Sequence, residues 1–218
     1  MSFRLVIFMF VYMIIYNDEE FWNTLTHFIG LIGSIAGIFF LLYFNSQLPL
    51  LSFLGVLLFG FGLVSVYLSS TLYHYFSEPI LKEKLRIFDH ISIYYLIAGS
   101  YAPVCLITLL DKSGLYIFIA VCSIAIFGTL FKLFYTGKFE KLSLALYLLM
   151  GWVIIVDIRT LYEILELNAV ILLVLSGLSY TIGTIFYSRR EKYAHTIWHL
   201  FVLSGSTFHY FFVLFYII

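Results

Sequence analysis

Two histidines one helical turn apart, His195 and His199, stand at the start of the last apolar run of this chain. On an α-helix, positions i and i+4 are about 40° apart around the axis and about 6 Å apart along it. Imidazoles so placed can hold one metal ion, and a third ligand must then come from another element. His74, at the end of an earlier apolar run, is the candidate for it. Ser70 lies one turn before His74 on the same helical face, where its hydroxyl could support a ligand or a metal-bound water. Asp89 is the nearest candidate carboxylate; it could hold and deprotonate such a water, or ligate directly. Three nitrogen ligands plus water is the usual pattern of a catalytic zinc site, where the water's pKa falls to about 7. Thr196-Ile197-Trp198 separates the two histidines. With no glutamate there, the motif is not the HExxH of metalloproteases.

These residues lie in a chain built for lipid. Of its 218 residues 63% are hydrophobic and only 11% are charged, against about 25% charged in a soluble domain. So apolar a chain cannot cover itself with polar groups in water, and the bilayer is its solvent. A net charge of zero argues against a nucleic-acid partner. Cys105 and Cys122 sit in apolar runs without metal-ligand spacing and read as small buried hydrophobes.

Seven runs are long enough to cross: Thr26–Phe44, Leu50–Phe76, Phe88–Leu110, Ser113–Tyr135, Leu142–Leu161, Ala169–Tyr187 and Tyr193–Ile218. Helices are the economical choice, because each backbone polar group must be paired within its own segment. The expected fold is therefore all-α, an integral membrane bundle of seven helices over residues 21–218. Residues 1–20 precede it as a short segment whose apolar stretch, Leu5–Tyr16, is too short to span about 30 Å and reads as interfacial or docking. Under strict alternation, ten of the 12 basic residues fall on one side, leaving Lys112 and Arg159 on the other. The positive-inside rule makes the richer side cytoplasmic, with the N-terminus inside and the C-terminus outside, in a multi-pass protein of the cell membrane. Small-residue positions such as Gly33 with Gly37, Gly60 with Gly62 and Gly177 with Gly183 read as helix-packing surfaces.

With that orientation, His74 ends the second crossing, Asp89 and His90 start the third, and His195 and His199 start the seventh. Glu19, Glu20, Asn23 and His27 start the first. Four helices thus bring their ionisable groups to one depth, and hydropathy alone did not require that agreement. Blander roles stay open. The His195/His199 pair could reach headgroups or loop carbonyls, Asp89 could pair with Lys84 or Arg86, and His27 reads as a hydrogen-bonder in the bundle interior. His90 points about 100° away from Asp89 and suits the interface better than ligation. His209 lies about 15 Å beyond His199 and cannot share its site; packing against Ser204 or Ser206 is enough for it. A haem would need two opposed histidine pairs, and one helix alone offers such a pair.

Four stretches carry a family resemblance: EEFWNTLTHFIG (residues 19–30), SSTLYHYF (69–76), LRIFDHISIYYLIAGSYAP (85–103) and YAHTIWHLFVLSGSTFH (193–209). Together they resemble the hemolysin III family, the bacterial branch of the progestin and adipoQ receptor proteins, from Glu19 to the end. The resemblance implies seven helices and a zinc ion, Zn2+, on three histidines, falling here on His74, His195 and His199. It implies Asp89 at the zinc-bound water and Ser70 in the accompanying Ser-x-x-x-His motif. Related members hydrolyse the amide of ceramides, some act as receptors, and some were named for lysing red cells. The function it implies is a zinc-dependent hydrolase with a membrane lipid as both environment and substrate. The alternative is a receptor, sensor or pore in which zinc is structural.

Overall fold

The computed structural model describes residues 18–45 and 49–218. The segment Leu5–Tyr16 lies outside the described residues. Among the described residues, seven helical stretches are long and apolar enough to cross a membrane: Asp18–Phe44, Leu50–Tyr75, Pro79–Thr108, Gly114–Tyr135, Glu140–Ile164, Leu167–Tyr187 and Ala194–Tyr216. They are named here as the first to the seventh crossing. Large apolar side chains point away from the bundle, Val156 being 83% exposed and Tyr116 78%, as lipid-facing surface requires.

Two crossings begin earlier than their apolar runs suggest. The first starts at Asp18, not Thr26, with Asp18, Glu19 and Glu20 in its first turn, where carboxylates favour the positive end of the helix dipole. The third starts at Pro79, not Phe88, and Glu78 caps it by accepting from the Ile80 and Leu81 amides at 3.0 and 2.7 Å. Proline at the first helical position and an acidic cap fix that start, so Lys82, Lys84 and Arg86 ride on a helix instead of a loop.

Two crossings are irregular. The third closes in a π-helical turn, Val104–Thr108, after Pro103. The fifth breaks between Glu140–Gly151 and Ile158–Ile164, with Val153–Asp157 as 3-10 helix. Tyr101 of the third crossing holds this break: its hydroxyl donates to the Gly151 carbonyl at 2.9 Å and accepts from the Ile154 amide at 3.0 Å. Such side-chain bonds allow a broken helix at membrane depth.

The first crossing packs on the second and on the seventh, the second on the third, and the sixth on the seventh. Ion pairs gather the basic residues at one end: Lys82 with Glu20, Arg86 and Lys132 with Glu140, and Lys192 with Asp18. This is called the basic end below. The expected Gly33/Gly37 surface is half present. Gly37 abuts Tyr210, whereas no atom of the described residues lies within 4 Å of a Cβ built at Gly33, because position 33 turns away from the bundle.

The tightest interface joins the second and third crossings. A Cβ at Gly62 would meet the Tyr95 carbonyl oxygen at 2.6 Å, and one at Gly99 would meet that of Leu58 at 2.6 Å. Backbone cannot yield as a flexible side chain can, so Gly99→Val is expected to cost about 1–3 kcal/mol. Reversible unfolding in mixed detergent measures it, with Gly33→Val as the neutral comparison.

Candidate metal centre

His74, His195 and His199 converge at the basic end. Each offers one ring nitrogen, and these atoms all lie within 4.8 Å of one another. Ring centroids are 5.0 Å apart for His74–His195 and for His74–His199, and 4.6 Å apart for His195–His199. His74 and His199 are buried, at 4% and 1% exposure, and His195 is half-buried. The i, i+4 spacing on the seventh crossing gives one pair, and the end of the second crossing supplies the third ring.

The surroundings of the rings decide which nitrogens are free. His74 Nδ1 lies 2.6 Å from Glu20 Oε2, and Lys82 Nζ lies 3.1 Å from Glu20 Oε1. A carboxylate only accepts, so Nδ1 carries the proton and Nε2 keeps its lone pair. That Nε2 is buried with no hydrogen-bond partner among the described residues. His199 Nδ1 faces the Asn23 carbonyl at 3.1 Å and the Thr26 hydroxyl at 3.2 Å, which again leaves Nε2 free. Imidazoles held from behind by a carboxylate or carbonyl, with the other nitrogen unpaired, are the usual arrangement around a bound metal. The orphaned nitrogen of His74 and the all-imidazole donor set therefore fit a borderline metal such as zinc.

The first crossing supplies most of this backing. Glu20, Asn23 and His27 recur at spacings of three and four and share one face. Besides holding His199, Asn23 accepts from the Thr196 hydroxyl at 2.6 Å through its side-chain oxygen, docking the start of the seventh crossing. The polar stripe was visible in the sequence, but its partners were not. Glu20→Gln is expected to weaken metal binding roughly ten- to a hundredfold while leaving the helices intact. Competition against a chelating dye measures the first, and circular dichroism the second.

His27 is not the hydrogen-bonder expected. It is buried and stacks on His199 with centroids 3.5 Å apart and an interplanar angle of 14°. Its edge meets Tyr67, and neither ring nitrogen has a partner among the described residues. Its role at this point is to wall His199. His90 is likewise enclosed by the bundle. It is 7% exposed, and its Nδ1 donates to the Arg86 carbonyl at 2.8 Å. Because the third crossing starts at Pro79, position 90 is three turns inside it. Lys132, one of the ten cations counted on the basic side, is fully buried with Nζ 2.8 Å from Glu140. Glu140 also lies 3.8 Å from His90 and 3.9 Å from Arg86.

Asp89 stands outside the three-histidine set, its Oδ2 3.6 Å from His90 Nδ1. Arg86, one of its candidate partners, reaches Glu140 instead. Asp89 sits where two cavities meet. One is a polar vestibule at the basic end, lined by Glu20, Asn23, His74, Arg86 and Asp89 among others. The other is a long, mainly apolar cavity inside the bundle, which Ser70, Asp89, His195 and His199 line at one end. Ser70 is 1% exposed and makes no hydrogen bond to any described residue. His209 also departs from expectation: it pairs with the Ser100 carbonyl at 2.9 Å. Ser206 is engaged by Tyr180 at 2.8 Å, and Ser204 lies 3.5 Å from Ser179.

Comparison with known proteins gives one consistent answer. The family described as Haemolysin-III related matches residues 15–210. The chain is 41% identical to the Hemolysin-3 homolog of Bacillus subtilis (strain 168), covering 91% of this chain and 94% of that one. It is 40% identical to Hemolysin-3 of Bacillus cereus, covering 92% of each. It is 28% identical to the human Monocyte to macrophage differentiation factor, over 71% of this chain and 66% of that protein.

Proposed function

The chain belongs to the haemolysin-III-related family of multi-pass membrane proteins, and from that premise we propose that it is a zinc-dependent hydrolase of a membrane lipid, cleaving an amide of the ceramide type. The observation that carries this reading is the junction itself. Three imidazoles able to hold a metal stand where a polar vestibule meets an apolar cavity. A lipid has the same polarity profile, and hydrolysis needs its carbonyl and a water to meet at that boundary.

His74, His195 and His199 would hold the ion. Zinc held by them supplies Lewis acidity toward a carbonyl oxygen and lowers the pKa of water. The chain's own residues then do the rest. Apolar side chains such as Ile93, Leu96, Leu148 and Leu173 receive the hydrocarbon and exclude water from it. The vestibule admits water. Asp89, at the meeting point, takes a proton from the attacking water and returns one to the leaving amine nitrogen. The Ser70 hydroxyl, unengaged by any described residue, donates to the substrate carbonyl and steadies it for attack. Glu20 fixes the tautomer of His74, and the Asn23 carbonyl fixes that of His199.

The mainly apolar lining of the inner cavity supports a lipid over an ion path, since a water-filled pore through one chain needs a polar stripe along its length.

The test is fatty-acid release from labelled ceramides in mixed micelles by the purified protein. Release that stops with a chelator and returns with zinc is expected. No release above the metal-free control, across ceramides of several chain lengths, would overturn the hydrolase.

A further inference from the structure

The apolar cavity does not end at the histidine cluster. It continues along the seventh crossing and reaches His209, ten residues past His199 and so about 15 Å further along the helix. His209 Nε2 lies 2.9 Å from the Ser100 carbonyl oxygen. A carbonyl only accepts, so Nε2 carries the proton, and in the neutral ring Nδ1 is an acceptor. His209 is 6% exposed, yet Nδ1 has no hydrogen-bond partner among the described residues.

Ser176 of the sixth crossing lines the same cavity and is 2% exposed. Buried serines in mid-helix usually give their hydroxyl proton to the carbonyl four residues back. Ser34, Ser100 and Ser179 do so here, at 2.7, 2.8 and 2.8 Å. Ser176 does not, and its hydroxyl bonds to no described residue.

The two groups stand at one level. Tyr180 of the sixth crossing bonds Ser206 of the seventh at 2.8 Å, which fixes the register of these antiparallel helices. One turn away from the basic end, Tyr180 is followed by Ser176 and Ser206 by His209. An acceptor and a hydroxyl, both unpartnered among the described residues, thus line one level of a mainly apolar cavity. Two unsatisfied polar groups in such a place cost stability unless something completes them.

We propose that this level of the cavity is a second recognition point, which binds a hydroxyl carried partway along the hydrocarbon chain of the lipid. The hydroxyl donates to His209 Nδ1 and accepts from Ser176. Its distance from the metal ligands, about 15 Å, corresponds to roughly a dozen bonds of extended chain. This rests on the reading that the cavity receives the hydrocarbon part of a lipid. A trapped water could engage the same two atoms, and it would give no preference for a hydroxylated chain.

The experiment is competition against radiolabelled octadecanoate on the whole protein in lipid nanodiscs. The probes are octadecanoate, 12-hydroxyoctadecanoate and 2-hydroxyoctadecanoate. We expect the 12-hydroxy chain to bind about tenfold more tightly than octadecanoate, as one net hydrogen bond gives, and the 2-hydroxy chain to show no such gain. His209→Phe and, separately, Ser176→Ala should remove the preference and leave octadecanoate binding within a few-fold. Ser176→Ala removes a single oxygen and serves if His209→Phe does not fold. Equal binding of octadecanoate and its 12-hydroxy form overturns the recognition point while leaving the lipid cavity standing. A preference that survives both substitutions also overturns it. Failure of octadecanoate itself to bind removes the lipid cavity, and the recognition point with it.

Discussion

Protein carrying His199→Ala is expected to purify with less than about a tenth of the wild-type metal, because one of three ligands is gone and two imidazoles hold zinc far more weakly than three. His199 is 1% exposed and stacked on His27, so the substitution also opens a small cavity. Lost packing alone could loosen the helix, and a control must share that liability. His209→Ala is the control: a buried histidine on the same helix, about three turns from the cluster. It should keep its metal. Elemental analysis of the three proteins, purified alike and normalised to chain, separates the outcomes. Equal metal in wild type and His199→Ala would remove His199 from the site. Equal loss in both variants would mean that the helix, and not the ligand, was responsible.

Asp89→Asn should act differently. The carboxylate is outside the set of three converging nitrogens, so metal content should be unchanged. Turnover should fall by about two to four orders of magnitude, the usual contribution of a positioned general base. Asparagine keeps the shape and hydrogen-bonding capacity of aspartate but cannot take up the proton, so packing against His90 is preserved. Ceramide hydrolysis and metal content are read on the same preparation. Loss of metal together with turnover would make Asp89 a fourth ligand. The centre would then be closed and structural, which favours a receptor or sensor over an enzyme.

The convergence of the three histidines was legible in the sequence because its information is local. His195 and His199 share a helix face by spacing alone, and hydropathy with alternation put His74 at the same depth. The seven crossings were legible for the same reason, since a run of apolar residues about 20 long carries its own meaning. What escaped was whatever depended on contacts between distant segments. Nothing local pairs Glu20 with His74, or seats His27 face to face with His199. Lys132 was counted only as a cation of the basic side because its charge was visible and the Glu140 that neutralises it inside the bundle was not assigned to it. The early start of the third crossing escaped because Lys82, Lys84 and Arg86 end the apolar run, while the Glu78–Pro79 cap continues the helix through them. The break in the fifth crossing was hidden in apolar residues, because its stabilising partner, Tyr101, belongs to another helix. The partner of His209 was missed in the same way: the Ser100 carbonyl is a backbone group, and no side-chain pattern announces it.

The central claim is that imidazoles from the second and seventh crossings bind one ion. X-ray absorption at the zinc edge of the purified, detergent-solubilised protein tests it most directly. One zinc per chain with three imidazole nitrogens at about 2.0–2.1 Å is the predicted spectrum. A first shell without imidazole scattering, or protein that takes up no zinc when supplied with it, would contradict the account.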